Sequence, residues 1–302
     1  MESTLRTPDT SSVVVGVDGS GPARTAALWA AGEAVRRDRP LHVVHAADTD
    51  FRGSYLSAAA AEEVRSEGRQ LLEETAKAVA AEHPGVHLTT EFSQADAVTA
   101  LHRAAGPHGT IVVGNRGRGG FASLLLGSVG LDTAAAARTP VVVVRGAEAT
   151  AEHETVLVAV RDAGDLPCAR YAAREAELRK GSLRLLHVWN TLQSVGQMVT
   201  MLDGMDEAAA RHVEILMDVA EIIRGEFPGL TVEADAESSS SVAGVLVEAS
   251  GRAGLLVMGG RRASARLGLG RNLGRVTHSL VHHALCPVML LPRSGDGPRD
   301  SS

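Results

Sequence analysis

At 302 residues the chain is 44% hydrophobic, 3% aromatic and 22% charged, and 30 Lys+Arg against 36 Asp+Glu leave a net charge of −6. The apolar fraction excludes a disordered chain, and the few aromatics (four Phe, two Tyr, two Trp) disfavour an aromatic-laddered β fold or a base-stacking platform. The acid excess argues against a general grip on nucleic acid or an anionic membrane. Cys168 and Cys286 are too few for a disulfide framework or a four-sulfur zinc site. Met1–Ser12 carries no apolar signal core, and no aliphatic run is long enough to span a bilayer, so a soluble, reduced, cytoplasmic protein is expected.

At roughly 150 residues per domain the length points to two domains, and the chain repeats itself. Val14-Val15-Gly16-Val17-Asp18 returns as Leu157-Val158-Ala159-Val160, and Leu41-His42-Val43-Val44-His45 as Leu183-Arg184-Leu185-Leu186-His187. Ile111-Val112-Val113-Gly114 returns as Leu256-Val257-Met258-Gly259, and Thr139-Pro140-Val141 as Cys286-Pro287-Val288. The offset starts at 142 and drifts to 147, a duplicated domain rather than a solenoid. Domains at 12–147 and 153–293 are expected, with disordered polar tails at 1–11 and 294–302.

In the first repeat, short aliphatic runs near 13–18, 41–46, 86–91, 110–114 and 141–145 read as buried strands. Helical stretches lie between them. Ala23–Arg37 carries Ala27, Leu28, Ala31 and Val35 on one face, and Ser57–Glu82 carries Val64, Leu71, Leu72, Ala76 and Val79. His83-Pro84-Gly85 ends the second helix, proline removing a donor and glycine accepting a left-handed turn. Strands separated by such helices imply parallel pairing, so the fold class is α/β: two tandem doubly wound domains, each with a five-stranded parallel sheet.

The richest segment is Val113-Gly114-Asn115-Arg116-Gly117-Arg118-Gly119-Gly120, followed by Gly127-Ser128-Val129. It leaves the carboxyl end of the fourth strand, the edge where ligands bind in open α/β sheets. Glycines there let backbone N–H groups approach an anion, Gly127-Ser128 opens the helix 129–138 with its positive dipole end, and Arg116 and Arg118 add charge. A polyphosphate suits every part. A Walker A loop is excluded because no lysine stands near a glycine cluster. Gly117-x-Gly119-x-x-Ala122 matches a dinucleotide fingerprint, but after the wrong strand, and Arg138 stands where an acid is needed.

Gly114, Gly117, Gly127 and Ser128 fit the pattern Gly-x2-Gly-x9-Gly-Ser. With Val-Gly-Val-Asp18-Gly-Ser at the first strand end, the chain resembles the universal stress protein family (UspA-like), in its ATP-binding branch and tandem form. That resemblance implies Rossmann-like, adenine nucleotide α-hydrolase-like domains forming an intrachain pseudo-dimer, with Val141–Val144 and Val288–Leu291 paired antiparallel and further homodimerisation open. It implies ATP, carried with Mg2+, as the ligand. Asp18 would contact the adenine or ribose end, Ala46 would offer backbone to the adenine, and Val113 and Gly114 would line the ribose. Arg116, Gly117, Gly127, Ser128 and Val129 would hold the phosphates. The bland alternative makes Asp18 a helix cap and the glycines plain turns.

The second repeat departs from this pattern. Val160 aligns with Asp18, Gly274 with Gly127, and Arg275 with Ser128, while Arg261, Arg262, Arg266, Arg271 and Arg275 crowd the loop. Loss of the Asp and Ser contacts, at roughly 1.5–3 kcal/mol each, weakens binding by roughly 10²–10⁴-fold. One working site is therefore expected, in the first repeat. His278 and His282 share a helix face, read as solvated rather than metal-binding; His45 and His187 read as hydrogen-bonded strand-end residues. Ser238–Ser241 reads as a loop and cap, Met198, Met201, Met205 and Met217 as core or lid packing, and Cys168 has no partner base in view. No catalytic residue or metal ligand is assigned, and protein partners are unknown. The leading reading is a nucleotide-responsive stress sensor or scaffold; the alternatives are a weak ATPase or autophosphorylating enzyme, and a nucleotide-independent interaction protein.

Overall fold

The computed structural model describes residues 12–49, 57–117, 127–145, 154–190, 203–259 and 273–292. Both predicted tails, Arg118, the loop arginines 261, 262, 266 and 271, and Met198 and Met201 lie outside them. The chain divides into two compact units, Met1–Ala147 and Glu148–Ser302.

The first unit runs β1 (Val13–Gly16), α1 (Gly21–Arg36), β2 (Leu41–Ala46), α2 (Ala58–Glu82), β3 (Leu88–Ser93), α3 (Ala97–Ala105), β4 (Thr110–Gly114), α4 (Ser128–Ala135) and β5 (Val141–Val144). Parallel pairings give the order β3-β2-β1-β4-β5. The second runs β6 (Val156–Ala159), a 3-10 turn (Ala163–Asp165), α5 (Leu166–Leu178), β7 (Leu183–Asn190), α6 (Asp203–Glu226), β8 (Val232–Ser239), α7 (Val242–Ser250), β9 (Leu255–Gly259), α8 (Arg275–His283) and β10 (Val288–Leu291). Its order, β8-β7-β6-β9-β10, is the same and all parallel. Valines and leucines fill β1, β4, β5, β6, β9 and β10 without alternation because helices cover both faces.

The helix faces differ from the expected stripes in an instructive way. Along α1 the buried apolar residues are Ala23, Ala26, Ala27, Ala30, Ala31 and Ala34, whereas Val35 is 53% exposed. Methyl groups alone let this helix lie close to the sheet, and Val35 falls off the arc they define. On α2 the buried line is Gly68, Leu72, Thr75 and Val79, with Val64 half-buried. Gly68 is there for space: a Cβ would stand 2.4 Å from the Phe92 ring and 2.9 Å from His45.

Three boundaries moved. Val86 N–H donates to the His83 carbonyl at 3.1 Å, so the helix end closes as a turn that needs no left-handed residue; Gly85 has none, and β3 starts at Leu88 rather than 86. Helix α4 stops at Ala135, short of Arg138. Strand β8 continues through Ser239, leaving only Ser241 as a cap, its Oγ accepting from Gly244 N–H at 3.1 Å. Met217 is 44% exposed, so it is not a core residue.

Each repeat buries a glutamate one turn before an arginine. Glu33 pairs with Arg36 and with Arg37 at 3.2 Å; Glu175, buried, pairs with the nearly buried Arg179. Removing one partner of a buried pair leaves an uncompensated charge. Glu175→Ala is expected to cost about 3–5 kcal/mol, read as a fall in the urea midpoint. Glu33→Ala should cost less, because Arg36 is 37% exposed and reaches water.

Candidate functional site

Strands β1 and β4 lie side by side while the chain leaves β1 towards β2 and β4 towards β5. Outgoing loops therefore diverge and open a crevice at the carboxyl edge of the sheet. A cavity of about 360 Å³ occupies it, within the usual range for small-molecule sites. All nine residues singled out from the sequence line it: Asp18 and Ala46 from β1 and β2, Val113, Gly114, Arg116 and Gly117 from the β4 end, and Gly127, Ser128 and Val129 at the start of α4. Sequence reasoning missed the rest of its apolar wall, Val17, Val44, Ala97 and Leu101, and passed over the helix α3 that carries the last two.

The loop after β4 is pinned at its base. Asn115 N–H donates to the Val144 carbonyl at 3.1 Å, Ser20 Oγ–H to the Arg116 carbonyl at 3.3 Å, and Gly127 N–H to the Asn115 carbonyl at 2.9 Å. Gly114 must be glycine because a Cβ would sit 2.8 Å from the Pro22 carbonyl group in the first turn of α1. Gly117 makes room for Asp18, whose Oδ2 would lie 2.5 Å from a Cβ there. Gly127, by contrast, would place a Cβ 3.5 Å from Gly117 N, an ordinary contact.

Asp18 does not cap α1. Ser20 does, accepting from Ala23 N–H at 3.3 Å, and Asp18 Oδ1 accepts from Ser20 N–H at 3.0 Å. At the other end, Gly127 caps α4 without a side-chain bond, leaving the exposed Ser128 in its first turn. Unpaired N–H groups and the dipole make that end anion-attracting. Arg145, half-buried just past β5, was not noticed in the sequence; burial, and then the Arg116 cation, hold its guanidinium below its ordinary pKa. The cavity thus runs from an apolar slot to a cationic, amide-rich end.

The universal stress protein family model matches the chain twice, over residues 10–145 and 152–292. The chain belongs to the universal stress protein family. Universal stress protein Rv2005c of Mycobacterium tuberculosis is 30% identical over 298 residues, covering 93% of this chain and 97% of that one. Rv2624c of the same organism is 28% identical over 295 residues, covering 95% and 98%. A solved universal stress protein from Archaeoglobus fulgidus shares the fold at a TM-score of 0.68 with 20% identity, covering 95% of this chain and 100% of that one.

The second universal stress protein domain corrects one alignment. Val17 N–H donates to the Val44 carbonyl and Val160 N–H to the Leu186 carbonyl, while the carbonyls of Val17 and Val160 each meet a histidine Nδ1, His45 at 2.8 Å and His187 at 2.9 Å. Val160 therefore matches Val17, and the partner of Asp18 is Arg161. The offset at the first strand is 143, one more than the second strand's 142, and the substitution is a charge reversal rather than a loss. Arg161 donates to buried Asp165 from its backbone N–H and from the Nε–Nη2 edge of its guanidinium, at 2.9–3.1 Å. Gly274 and Arg275 occupy the places of Gly127 and Ser128, each glycine capping its helix without a side-chain bond.

His187 is buried, and its Nδ1 must carry the proton that meets the Val160 carbonyl; its Nε2 then accepts from His212 Nδ1–H at 2.8 Å. The Trp189 ring lies 4.8 Å from His212 and stacks on it at 11°. His212 stands where α2 has Gly68, 144 residues earlier, and Ala236 where β3 has Phe92, so the ring volume has moved from strand to helix. His278 and His282 rings lie 4.3 Å apart, but among the described residues no three metal-ligating groups come together. Burial pushes the Cys286 thiol up to about 12, which keeps it protonated and unreactive.

Two outcomes follow from this geometry. Gly114→Ala should destabilise the first domain by about 1–3 kcal/mol, since helix backbone has to move, while Gly127→Ala, which meets no clash and loses only a better N-cap, should cost clearly less. Burial lowers the pKa of His187 and, with His187 and Arg211 adding to it, that of His212. The unfolded chain then binds more protons, so this contribution is complete above pH 6.5 and declines as pH falls through the depressed folded values. Thermal melts from pH 7.5 to 5 should show the decline, and His187→Gln should flatten it.

Proposed function

We propose that the first domain binds ATP, entering with Mg2+, and that the protein acts as a nucleotide-responsive stress sensor or scaffold in the cytoplasm. The observation that carries this reading is one continuous cavity with an apolar slot at one end and Arg116, loop amides and the α4 N-terminus at the other. An adenine ring suits Val17, Val44 and Leu101; Asp18 offers a carboxylate to ribose hydroxyls; Ser128 and the amides suit phosphate oxygens. Mg2+ draws most of its ligands from phosphates and water, so the chain need not supply a cage.

Binding rather than turnover is favoured by the charges. Asp18 is the single carboxylate among the described lining residues, and its Oδ1 already accepts from Ser20 N–H. The second domain, with Arg161 for Asp18 and Arg275 for Ser128, is read as lacking this site. Among the described residues no helix is long and apolar enough to cross a membrane, and the two buried cysteines form no disulfide, which suits a reducing compartment.

The test is to denature the purified protein and identify the released nucleotide by chromatography. About one ATP per chain is expected, lost in Asp18→Ala while the melting profile of the second domain is kept. Gly117→Ala should act the same way, by displacing the Asp18 carboxylate. ADP in place of ATP would move the reading to slow hydrolysis. Release of no nucleotide, with no uptake of added Mg-ATP, would overturn it in favour of a nucleotide-independent interaction protein.

A further inference from the structure

Small residues surround the apolar slot of the first cavity: Gly16, Ala23, Ala46 and Ala97 line it, together with Val44. Gly16 seats Leu101 against the strand, because a Cβ there would stand 3.2 Å from Leu101 Cδ1. Ala97 lies one turn before Leu101 on α3 and lines the cavity beside it. A larger side chain at either place takes up room at the apolar end of the cavity, away from the glycine loop.

The second repeat fills the same places. The hydrogen bonds of Val17 and Val160 set Gly16 against Ala159, and those of His45 and His187 set Val44 against Leu186 and Ala46 against Val188. The matching Glu33–Arg37 and Glu175–Arg179 pairs align α1 with α5 and set Ala23 against the buried Asp165. Caps align α3 with α7: Asp96 accepts from Thr99 N–H at 3.0 Å and Ser241 from Gly244 N–H at 3.1 Å. Val242 therefore stands in the place of Ala97, and Leu246, buried like Leu101, in the place of Leu101. Each of the five replacements is larger, yet the strands and helices that carry them are kept. Packing of the sheet does not demand the small residues of the first repeat. The space they leave serves what enters the cavity.

We propose that Ala97 is a specificity-determining residue: with Gly16 behind Leu101, it keeps the slot deep enough for a fused purine ring and sets a preference for purine over pyrimidine nucleotides. This rests on the nucleotide reading of the cavity. Among the described lining residues the charged ones, Asp18 and Arg116, belong to the ribose and phosphate ends, and the walls of the slot are aliphatic. Ring size is thus what its side chains can read. A purine covers the whole apolar wall, whereas a single ring leaves part of it bare and gains less. Valine at position 97 would occupy the room of the second ring and still admit a single one.

Calorimetric titration of the full chain with ATP and with UTP, each with Mg2+, tests this. The unaltered chain should take ATP more tightly. One methylene in an apolar pocket changes affinity by roughly 10–200-fold, so Ala97→Val should weaken ATP by a factor in that range. The same variant should leave UTP and inorganic tripolyphosphate unchanged and keep the melting temperature, since α7 already starts with valine. Ala97→Ser, nearly the same size, should keep ATP. Equal affinity of the unaltered chain for ATP and UTP, equal weakening of both by Ala97→Val, or an unchanged ATP affinity would overturn the role of Ala97 and leave the nucleotide reading standing. Binding of neither nucleotide by the unaltered chain would overturn both.

Discussion

In each domain the chain winds outward in opposite directions from one central pair of parallel strands, and the remaining architecture is arranged around that reversal. Between β1 and β4 it leaves a crevice that no connection crosses. The crevice stays narrow because α1 rests directly on the β4 end, with Gly114 against the carbonyl of Pro22 and an alanine face along the helix. Had β4 ended in a residue with a side chain, the helix would lift and the cavity would lose its wall.

The same contact orders the polar end. Ser20 caps α1 and also ties down the Arg116 carbonyl, and Asp18 is held by Ser20 N–H while its other oxygen faces Gly117. Helix start, carboxylate and glycine loop thus form one hydrogen-bonded unit. It makes the glycines unequal: Gly114 is demanded by helix backbone, Gly117 by the position of the Asp18 carboxylate alone, and Gly127 meets no such limit.

Duplication lets the chain act as its own comparison. Where the repeats agree, the reason is packing: the buried Glu33–Arg37 and Glu175–Arg179 pairs, the histidine on the carbonyl of Val17 or Val160, and the tie from the second strand to the edge strand. That tie is His42 to Glu91 in one domain and Arg184 to Asp235 in the other. Where they differ, around Asp18 and Ser128, the framework is untouched and the chemistry at one end of the cavity has changed.

Aliphatic runs with helical spacers specify a parallel sheet on their own, because strands buried on both faces need continuous apolar residues. Gly114-x2-Gly117-x9-Gly127-Ser128 marks its loop in the same local way, since backbone close to an anion needs glycine. Other features depend on what touches what. Val35 looked like a core residue until the alanine arc showed which face meets the sheet, and Gly68 is intelligible only beside Phe92 and His45. The matching of Asp18 to Arg161 was hidden because a one-residue shift leaves two valine-rich runs looking alike, while hydrogen-bond register distinguishes them. Arg145 carries no motif; only the pairing of β5 with β4 brings it beside Arg116. Local spacing determined the fold class and the loop, and tertiary register decided which charged groups share a site, because charges separated in sequence interact only through the distances the fold sets.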